Sequence, residues 1–352
     1  MVEEPSQSRL FLPRYLLIAY LLLIIYASLY PFSGWRDQGV PIEAFLFAPM
    51  PRYFTWFDVV TNVAAYALLG VLLVLAFNMP SRPALAILAA TAAGCLLSLV
   101  LEALQSFLPS RIASNLDVLS NTGGALLGAL IGARIAPTVL SPQMRALREA
   151  WLAPGRHTDL GLVLLVLWIL SQANPALLLF GNGDLRAGLG LNLAPFSADL
   201  FRVMETAIVA LNLVALGGLA ALLSRERAHA WAMVALTVVL TLLAKGLASA
   251  LLHKPENFLV WLTPGAQDGV TIGLLVLLVL PLLPRAVLAV VVVLLLGAAV
   301  MLVNLVPENP YHNSSLPEWQ QGQFLNFDGL TSFVALLWPF CAMLWAGSSL
   351  RR

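Results

Sequence analysis

Apolar segments alternate with short polar stretches along the chain, and each segment has about the length that an α-helix needs to cross a bilayer. Ten such segments lie near residues 12–31, 56–77, 84–108, 116–136, 159–180, 203–223, 230–252, 269–284, 286–305 and 330–347. Only helices and closed barrels satisfy every backbone hydrogen bond in lipid, and apolar runs of this length indicate helices. The pattern therefore predicts an all-α membrane bundle of about ten transmembrane helices.

The composition agrees with this class of protein. Hydrophobic residues make up 60% of the 352 residues, charged residues make up 11%, and the mean hydropathy is +0.87. Soluble domains contain roughly 45–50% apolar and about 25% charged residues. The formal net charge is +1 and no basic tract is present, so we expect no nucleic-acid partner. Cys95 and Cys341 lie within apolar segments, where we expect them to pack as free thiols.

The distribution of basic residues predicts an orientation with both termini in the cytoplasm. With the N-terminus inside, the cytoplasmic segments hold Arg9, Arg14, Arg82, Arg134, Arg145, Arg148, Arg156, Arg225, Arg227, Arg285, Arg351 and Arg352. The external segments hold only Arg36, Arg52, Arg111, Arg186, Arg202 and Lys254. This excess satisfies the positive-inside rule.

One polar internal linker divides the predicted spans into two groups. We expect a four-helix membrane core at 1–136, a cytoplasmic linker at 137–158 and a six-helix membrane part at 159–352. The segment SLVLEALQS (98–106) also aligns with TLLAKGLAS (241–249), and one hypothesis is that the second part is a degenerate repeat of the first. The alternative is that such sparse identities arise by chance in apolar sequence.

Polar side chains recur where the second, third and fourth predicted spans reach the external side. The second and fourth spans each begin with an aspartate and an asparagine one helical turn apart. The outgoing third span carries a glutamate and a glutamine just before a turn that contains an arginine. The set is Asp58, Asn62, Glu102, Gln105, Arg111, Asp117 and Asn121. Ionisable residues in spans usually face the bundle interior or a wet cavity, so we predict an outward-facing polar binding site in the external half of the bilayer.

A structural role is the main alternative for the aspartates in this set. An aspartate in the first turn of a helix can cap free amides and interacts favourably with the helix dipole. That alternative applies to Asp58 and Asp117, and equally to Asp268 and Asp328, which are secondary candidates on the external face.

Glu102 is the best candidate for a catalytic acid or base, because it lies near the end of its own helix and has no capping role there. Its alternative is an architectural ion pair with Lys245, a counter-charge at similar depth in the seventh span. Gly124, Gly128 and Gly132 form a stripe of small residues that predicts close helix packing. The histidines lie in or beside separate loops without metal-ligand spacing, so we expect no metal and no cofactor.

Two adjacent motifs resemble the VanZ-like family of bacterial integral membrane proteins. They are E-x-x-Q-x-F-x-P-S-R (102–111) and NLDVLSNTGGALLG (115–128), and YPF (30–32) and DVVTN (58–62) fit the same pattern. The resemblance covers about residues 14–136. It implies a multi-pass protein of the bacterial cytoplasmic (inner) membrane with a role in the cell envelope, and teicoplanin-type antibiotic resistance is one context. It supplies no reaction.

Three functions therefore compete. The first is binding or handling of a polar membrane lipid, a lipid-linked glycan or an amphiphilic, glycopeptide-type antibiotic, with the aromatic-rich loop 306–329 covering the site and Arg111 holding phosphate or carboxylate. The second is an intramembrane transferase or hydrolase that acts on lipid-linked substrates and uses Glu102 as acid or base. The third is a scaffold for an envelope or polysaccharide assembly complex, in which Arg145 and Arg148 of the linker would matter more than the polar site.

Overall fold

The computed structural model describes residues 11–174, 176–190, 195–252, 255–307 and 325–351, and the chain forms two compact units, Met1–Leu147 and Arg148–Arg352. Nine helices within the described residues are long and apolar enough to cross a membrane. They are Leu12–Leu29, Trp56–Phe77, Pro83–Gln105, Asn115–Val139, Ala198–Leu223, Arg227–Leu251, Pro264–Leu282, Arg285–Leu305 and Phe327–Ser348. The predicted all-α membrane bundle is confirmed. Most of the aromatic loop 306–329 lies outside the described residues.

The first unit is built on four long helices. Its elements are α1 (Leu12–Leu29), α2 (Ala44–Phe47), α3 (Trp56–Phe77), α4 (Pro83–Gln105) and α5 (Asn115–Val139), and α6 (Pro142–Trp151) runs across the unit boundary. Helix α5 packs against α3 and α4, and α1 packs against the same two helices. The core between them is small and apolar, with Leu69, Ala90, Ala125 and Ala129 fully or almost fully buried.

Glycines let α3 and α5 approach each other closely. A Cβ atom added at Gly124 would overlap the backbone of Val63, and one added at Gly128 would overlap the backbone of Ala67. The contacts advance together along both helices, so α3 and α5 run parallel. The close packing predicted from the glycine stripe is confirmed. It fixes the start of both helices at the same end of the unit.

The second unit surrounds one buried helix. Its elements are α7 (Arg156–Gln172), α8 (Arg186–Leu189), α9 (Ala198–Leu223), α10 (Arg227–Leu252), α11 (Pro264–Leu277), α12 (Arg285–Leu305) and α13 (Leu325–Ser348). Every residue of α9 from Asn212 to Leu223 is buried, and the helix packs against α10, α11 and α12, as expected for a helix segment that is enclosed around its circumference. Residues 278–284 connect α11 to α12, both of these helices pack against α9, and Pro284 forms the N-cap of α12.

The predicted fifth span, 159–180, is wrong at its C-terminal end. Helix α7 ends at Gln172, and the described residues of the next segment, 173–174 and 176–185, are non-helical; we call them segment 173–185. Asn174, Leu179, Phe180 and Asn182 of this segment are nevertheless buried. In the sequence Pro175 follows Asn174, and a residue before proline is disfavoured in the helical region. The apolar run ALLLF (176–180) comes next, and it led to the prediction that the span continues to residue 180.

Candidate functional site

The predicted polar residues of the first unit lie at the end where α3 and α5 begin and α4 ends, which we call the polar end. Local sequence explains why both helices start there. Thr55 is the N-cap of α3, where its hydroxyl accepts a bond from Asp58 N and donates one to Asp58 Oδ2 at 2.6 Å. Ser114 is the N-cap of α5, where its hydroxyl accepts a bond from Leu116 N. The Asp58 carboxylate thus binds the capping hydroxyl of Thr55 and supports the start of α3 indirectly.

Asn62 and Asp117 meet across the α3–α5 interface. The amide Nδ2 of Asn62 donates to Asp117 Oδ1 at 2.9 Å. Asp58 is exposed, Asp117 is half-buried, and the charge of Asp58 acts on the Asp117 carboxylate. Two carboxylates and an amide are therefore grouped at the accessible edge of the polar end, as the sequence predicted for these three residues.

Glu102 is buried with 4% of its surface exposed, and it connects α4 to the start of α5. Its Oε2 accepts a bond of 2.7 Å from the backbone N–H of Ser114. The sequence analysis found no capping role for Glu102 in its own helix and missed this bond to the N-cap residue of the next one. The charges of Asp117 and Arg111 also act on the Glu102 carboxylate.

Arg111 binds the end of α1. Its Nη2 donates to the carbonyls of Ala27 and Tyr30 at 3.0 and 2.8 Å, and its Nε donates to Tyr30 at 3.2 Å. A cation at the C-terminal end of a helix also interacts favourably with the helix dipole. Burial lowers the pKa of Arg111 from its ordinary value while Glu102 opposes that change, and a guanidinium stays charged in proteins. These bonds direct much of the guanidinium toward the protein, which weakens the predicted role of Arg111 in holding a phosphate.

Gln105 and Asn121 also bond to neighbouring helices, and the two residues differ in how fully their amide groups are paired. The Gln105 amide donates to Ser28 O of α1 at 3.0 Å. Asn121 donates from Nδ2 to Ser98 Oγ of α4 at 2.9 Å, while its Oδ1 has no hydrogen-bond partner among the residues that the structure describes. Asn121 is only 6% exposed. A buried acceptor without a partner is costly, so this oxygen is the strongest indication of an incomplete polar site.

Ser98 is the residue of this network that sequence reasoning missed. It is fully buried and precedes Glu102 by four positions, so the two share one face of α4. The four-residue spacing of Ser98 and Glu102 could have indicated from the sequence that the two side chains lie on the same side of the helix. The first loop of the unit contributes further cover, because Gln38 donates to Ser106 O and Asn115 donates to Ala48 O. The side chains of Arg36 and Arg52 in the same loop are exposed.

The remaining candidates have partners within the second unit. Lys245 is completely buried, and its Nζ donates to the carbonyls of Asn174 and Leu177, both at 2.7 Å. Asp328 accepts a bond of 3.0 Å from the Asn174 amide, and Asp268 forms an exposed ion pair with Arg202. The pairing of Lys245 with Glu102 stays a prediction. Within the described residues, no group of three or more His, Cys, Asp or Glu side chains is arranged to hold a metal ion.

The fold and the polar end define a multi-pass α-helical membrane protein. Residues 15–136 match the family model described as VanZ/LLP1, which is the family that the motifs of this part of the chain resemble. The match covers about a third of the chain and contains the entire polar end from Asp58 to Asn121. No curated protein and no solved structure matched the chain.

Replacing Arg111 by glutamine should lower the stability of the first unit by about 1.5–3 kcal/mol, the usual contribution of a hydrogen bond to a charged group. The substitution removes the charge and most of the bonds to the last turn of α1. Thermal unfolding of the purified full chain measures the effect. Arg36→Gln is the matched control, since its side chain is exposed and only its backbone N–H bonds to Phe107 O. Equal unfolding temperatures for the two variants would contradict the assigned role of Arg111.

Proposed function

We propose that the VanZ/LLP1 part of this protein binds the polar head of an amphiphile at the polar end of the first unit. The candidate ligands are a polar lipid, a lipid-linked glycan and a glycopeptide-type antibiotic. The site would lie in the external half of a bacterial inner membrane, as the arginine distribution predicts. The observation that carries the proposal is the unpartnered, buried Oδ1 of Asn121 below the accessible Asp58 and Asp117 carboxylates.

The available groups favour a ligand that donates hydrogen bonds. Asp58 and Asp117 carry carboxylates and Asn121 carries an amide oxygen, and all of these atoms are acceptors. The donors of Arg111 that face α1 are used by carbonyl groups. Hydroxyl and amine groups of a sugar or an amino-lipid fit such a surface better than an isolated phosphate does. We therefore expect a ligand whose polar head is rich in O–H or N–H groups.

The test measures binding by the purified full chain in lipid nanodiscs, with teicoplanin and a lipid-linked disaccharide as separate probes. Asp117→Asn should weaken binding of at least one probe about tenfold, because a hydrogen bond to a charged group exceeds a neutral one by roughly 1 kcal/mol or more. Asn121→Leu should have a similar effect because it removes the free acceptor. Glu43→Gln is the control, since Glu43 precedes α2 on an exposed loop and makes no side-chain cap bond.

The proposal fails if Asp58→Asn, Asp117→Asn and Asn121→Leu all retain wild-type binding of both probes at wild-type abundance. It also fails if neither probe binds the wild-type protein more tightly than empty nanodiscs.

An enzyme is the second candidate because Glu102 is a buried carboxyl group with charged neighbours, an arrangement typical of general acids and bases. Incubating the protein with the lipid-linked disaccharide and analysing the mixture by mass spectrometry separates the two functions. A product formed by the wild type and absent with Glu102→Gln would favour the enzyme. An unchanged substrate that still binds would favour the binding protein.

A further inference from the structure

A cavity of about 360 Å³ lies in the second unit where α9 ends and α10 and α12 begin. Three arginines line it, namely Arg225, Arg227 and Arg285, together with the single acidic residue Glu226. Within the described residues, none of the three arginines forms an ion pair with a carboxylate. The cavity therefore carries a net positive charge that the protein itself leaves uncompensated.

Hydrogen bonds to backbone carbonyls hold two of these arginines in place and leave some of their donors available. Arg285 donates from Nη2 to the carbonyls of Ser224 and Arg225, at 2.6 and 3.0 Å, and so covers the C-terminal end of α9. Arg225 donates from Nη1 to Glu149 O at 2.8 Å. A guanidinium has five N–H donors, so both residues keep donors for a ligand. Arg227 is exposed as the first residue of α10 and makes no side-chain bond within the described part of the chain.

The backbone adds to this positive potential. Helix α10 begins at Arg227 and α12 begins at Arg285, so two helix N-termini are directed at the cavity. The N-terminal end of a helix carries a partial positive charge and favours anions. The negative end of α9 is the one that Arg285 covers. Side chains and helix dipoles thus favour the same kind of ligand, an anion with several acceptor oxygens.

The surroundings of the cavity are apolar on the side of the membrane-spanning helices. Leu283 and Leu288 line it, and the neighbouring Val287 is 46% exposed. Trp151 is held nearby, because Arg225 N donates to Trp151 O at 2.9 Å and the Trp151 ring stacks on His229. Tryptophan beside arginine at the end of spanning helices is typical of the membrane–water interface. A free anion would contact the arginines alone, whereas an anionic lipid would contact the arginines with its head group and the apolar residues with its acyl chains.

We propose that this cavity binds the phosphate group of an anionic glycerophospholipid, with its acyl chains lying along the apolar side of α12. Basic cavities between spanning helices at the cytoplasmic surface are suited to such head groups. The site is separate from the polar end of the first unit and is independent of the function proposed for it.

The test is native mass spectrometry of the detergent-purified full chain with equal amounts of phosphatidylglycerol and phosphatidylcholine. The wild type should retain phosphatidylglycerol in preference to phosphatidylcholine. Arg227→Gln should weaken phosphatidylglycerol binding about tenfold, which corresponds to the loss of one charge-assisted bond, and Arg227→Lys should lose less. Arg134→Gln is the matched control, because Arg134 is an exposed arginine on α5 and lies outside the cavity.

Arg227 carries the test because its side chain makes no bond within the described residues, so its removal leaves the fold intact, and thermal unfolding checks that point. The proposal is overturned if Arg227→Gln and Arg134→Gln bind phosphatidylglycerol equally well. It is also overturned if an excess of inorganic phosphate displaces the lipid completely, since the cavity would then be a general anion site.

Discussion

Replacing Gly128 by leucine should prevent the first unit from folding, because α3 and α5 cannot then pack at their present distance. An added Cβ atom at Gly128 already overlaps the backbone of Ala67, and a backbone cannot move aside as a flexible side chain can. Gly128→Ala adds only that Cβ atom, but the two helices must still move apart, so it should cost about 3 kcal/mol or more, the upper end of the usual penalty for overpacking a core. The yield of monodisperse protein in size-exclusion chromatography and the unfolding temperature of the soluble fraction measure both effects.

The same helix offers a control for this prediction. Gly123 lies on the exposed side of α5, where an added Cβ atom would meet nothing within 4 Å. Gly123→Ala should leave stability unchanged or raise it by up to about 1 kcal/mol, since alanine has the higher helix propensity. If Gly128→Leu gave the yield and unfolding temperature of Gly123→Ala, the parallel packing of α3 on α5 would be wrong. That packing also sets the Asn62–Asp117 bond, so the polar end would have to be reconsidered with it.

Replacing Asn304 by leucine should destabilise the second unit strongly. Asn304 lies on α12, where its Oδ1 accepts a bond from Leu185 N at 2.7 Å and its Nδ2 donates to Gly183 O at 2.8 Å. Both backbone groups belong to the non-helical segment 173–185, which has no regular ladder to supply other partners. A leucine of similar size would leave them without these bonds, at about 1–3 kcal/mol for each buried group. Thermal unfolding and limited proteolysis within this segment measure the loss.

Asn212 provides the matched control. It is buried on α9, but its amide donates to Ile208 O, four residues earlier in the same helix. That carbonyl keeps its helical hydrogen bond when the side chain is removed, so Asn212→Leu should change stability far less. Similar losses for the two variants would mean that buried amides in general, and not the support of segment 173–185, stabilise this unit.

Sequence reasoning succeeded at the polar end where the signal was local to a helix. The spacing of Asp117 and Asn121 showed that both lie at one helix start, and the glycines behind them predicted close contact with a partner helix. It could not assign the partners. Asn62 meets Asp117 rather than Asn121, because α3 and α5 pack with a shift that depends on the glycine contacts of both helices.

The hydrogen-bond partners of Arg111 could not be predicted from the sequence either. A guanidinium in a turn beside carboxylates suggested a ligand-binding role, yet three of its bonds go to backbone carbonyls at the end of α1. Every residue has a backbone carbonyl, so the sequence does not indicate that the carbonyls of Ala27 and Tyr30 are the ones that accept hydrogen bonds from Arg111. The bond from Ser114 N to Glu102 escaped prediction for the same reason.

The sequence by itself determined the class of this protein, its approximate spans and the region that matches the VanZ/LLP1 family model, because apolar length, glycine spacing and short motifs are properties of contiguous residues. Only the tertiary structure decided how those spans are used. It ended α7 at Gln172, bonded Asn304 and Lys245 to backbone groups of segment 173–185, and brought Arg225, Arg227 and Arg285 together around one cavity. The physical reason is that these features depend on which backbone groups and charges from distant segments meet, and an apolar sequence constrains such meetings only weakly.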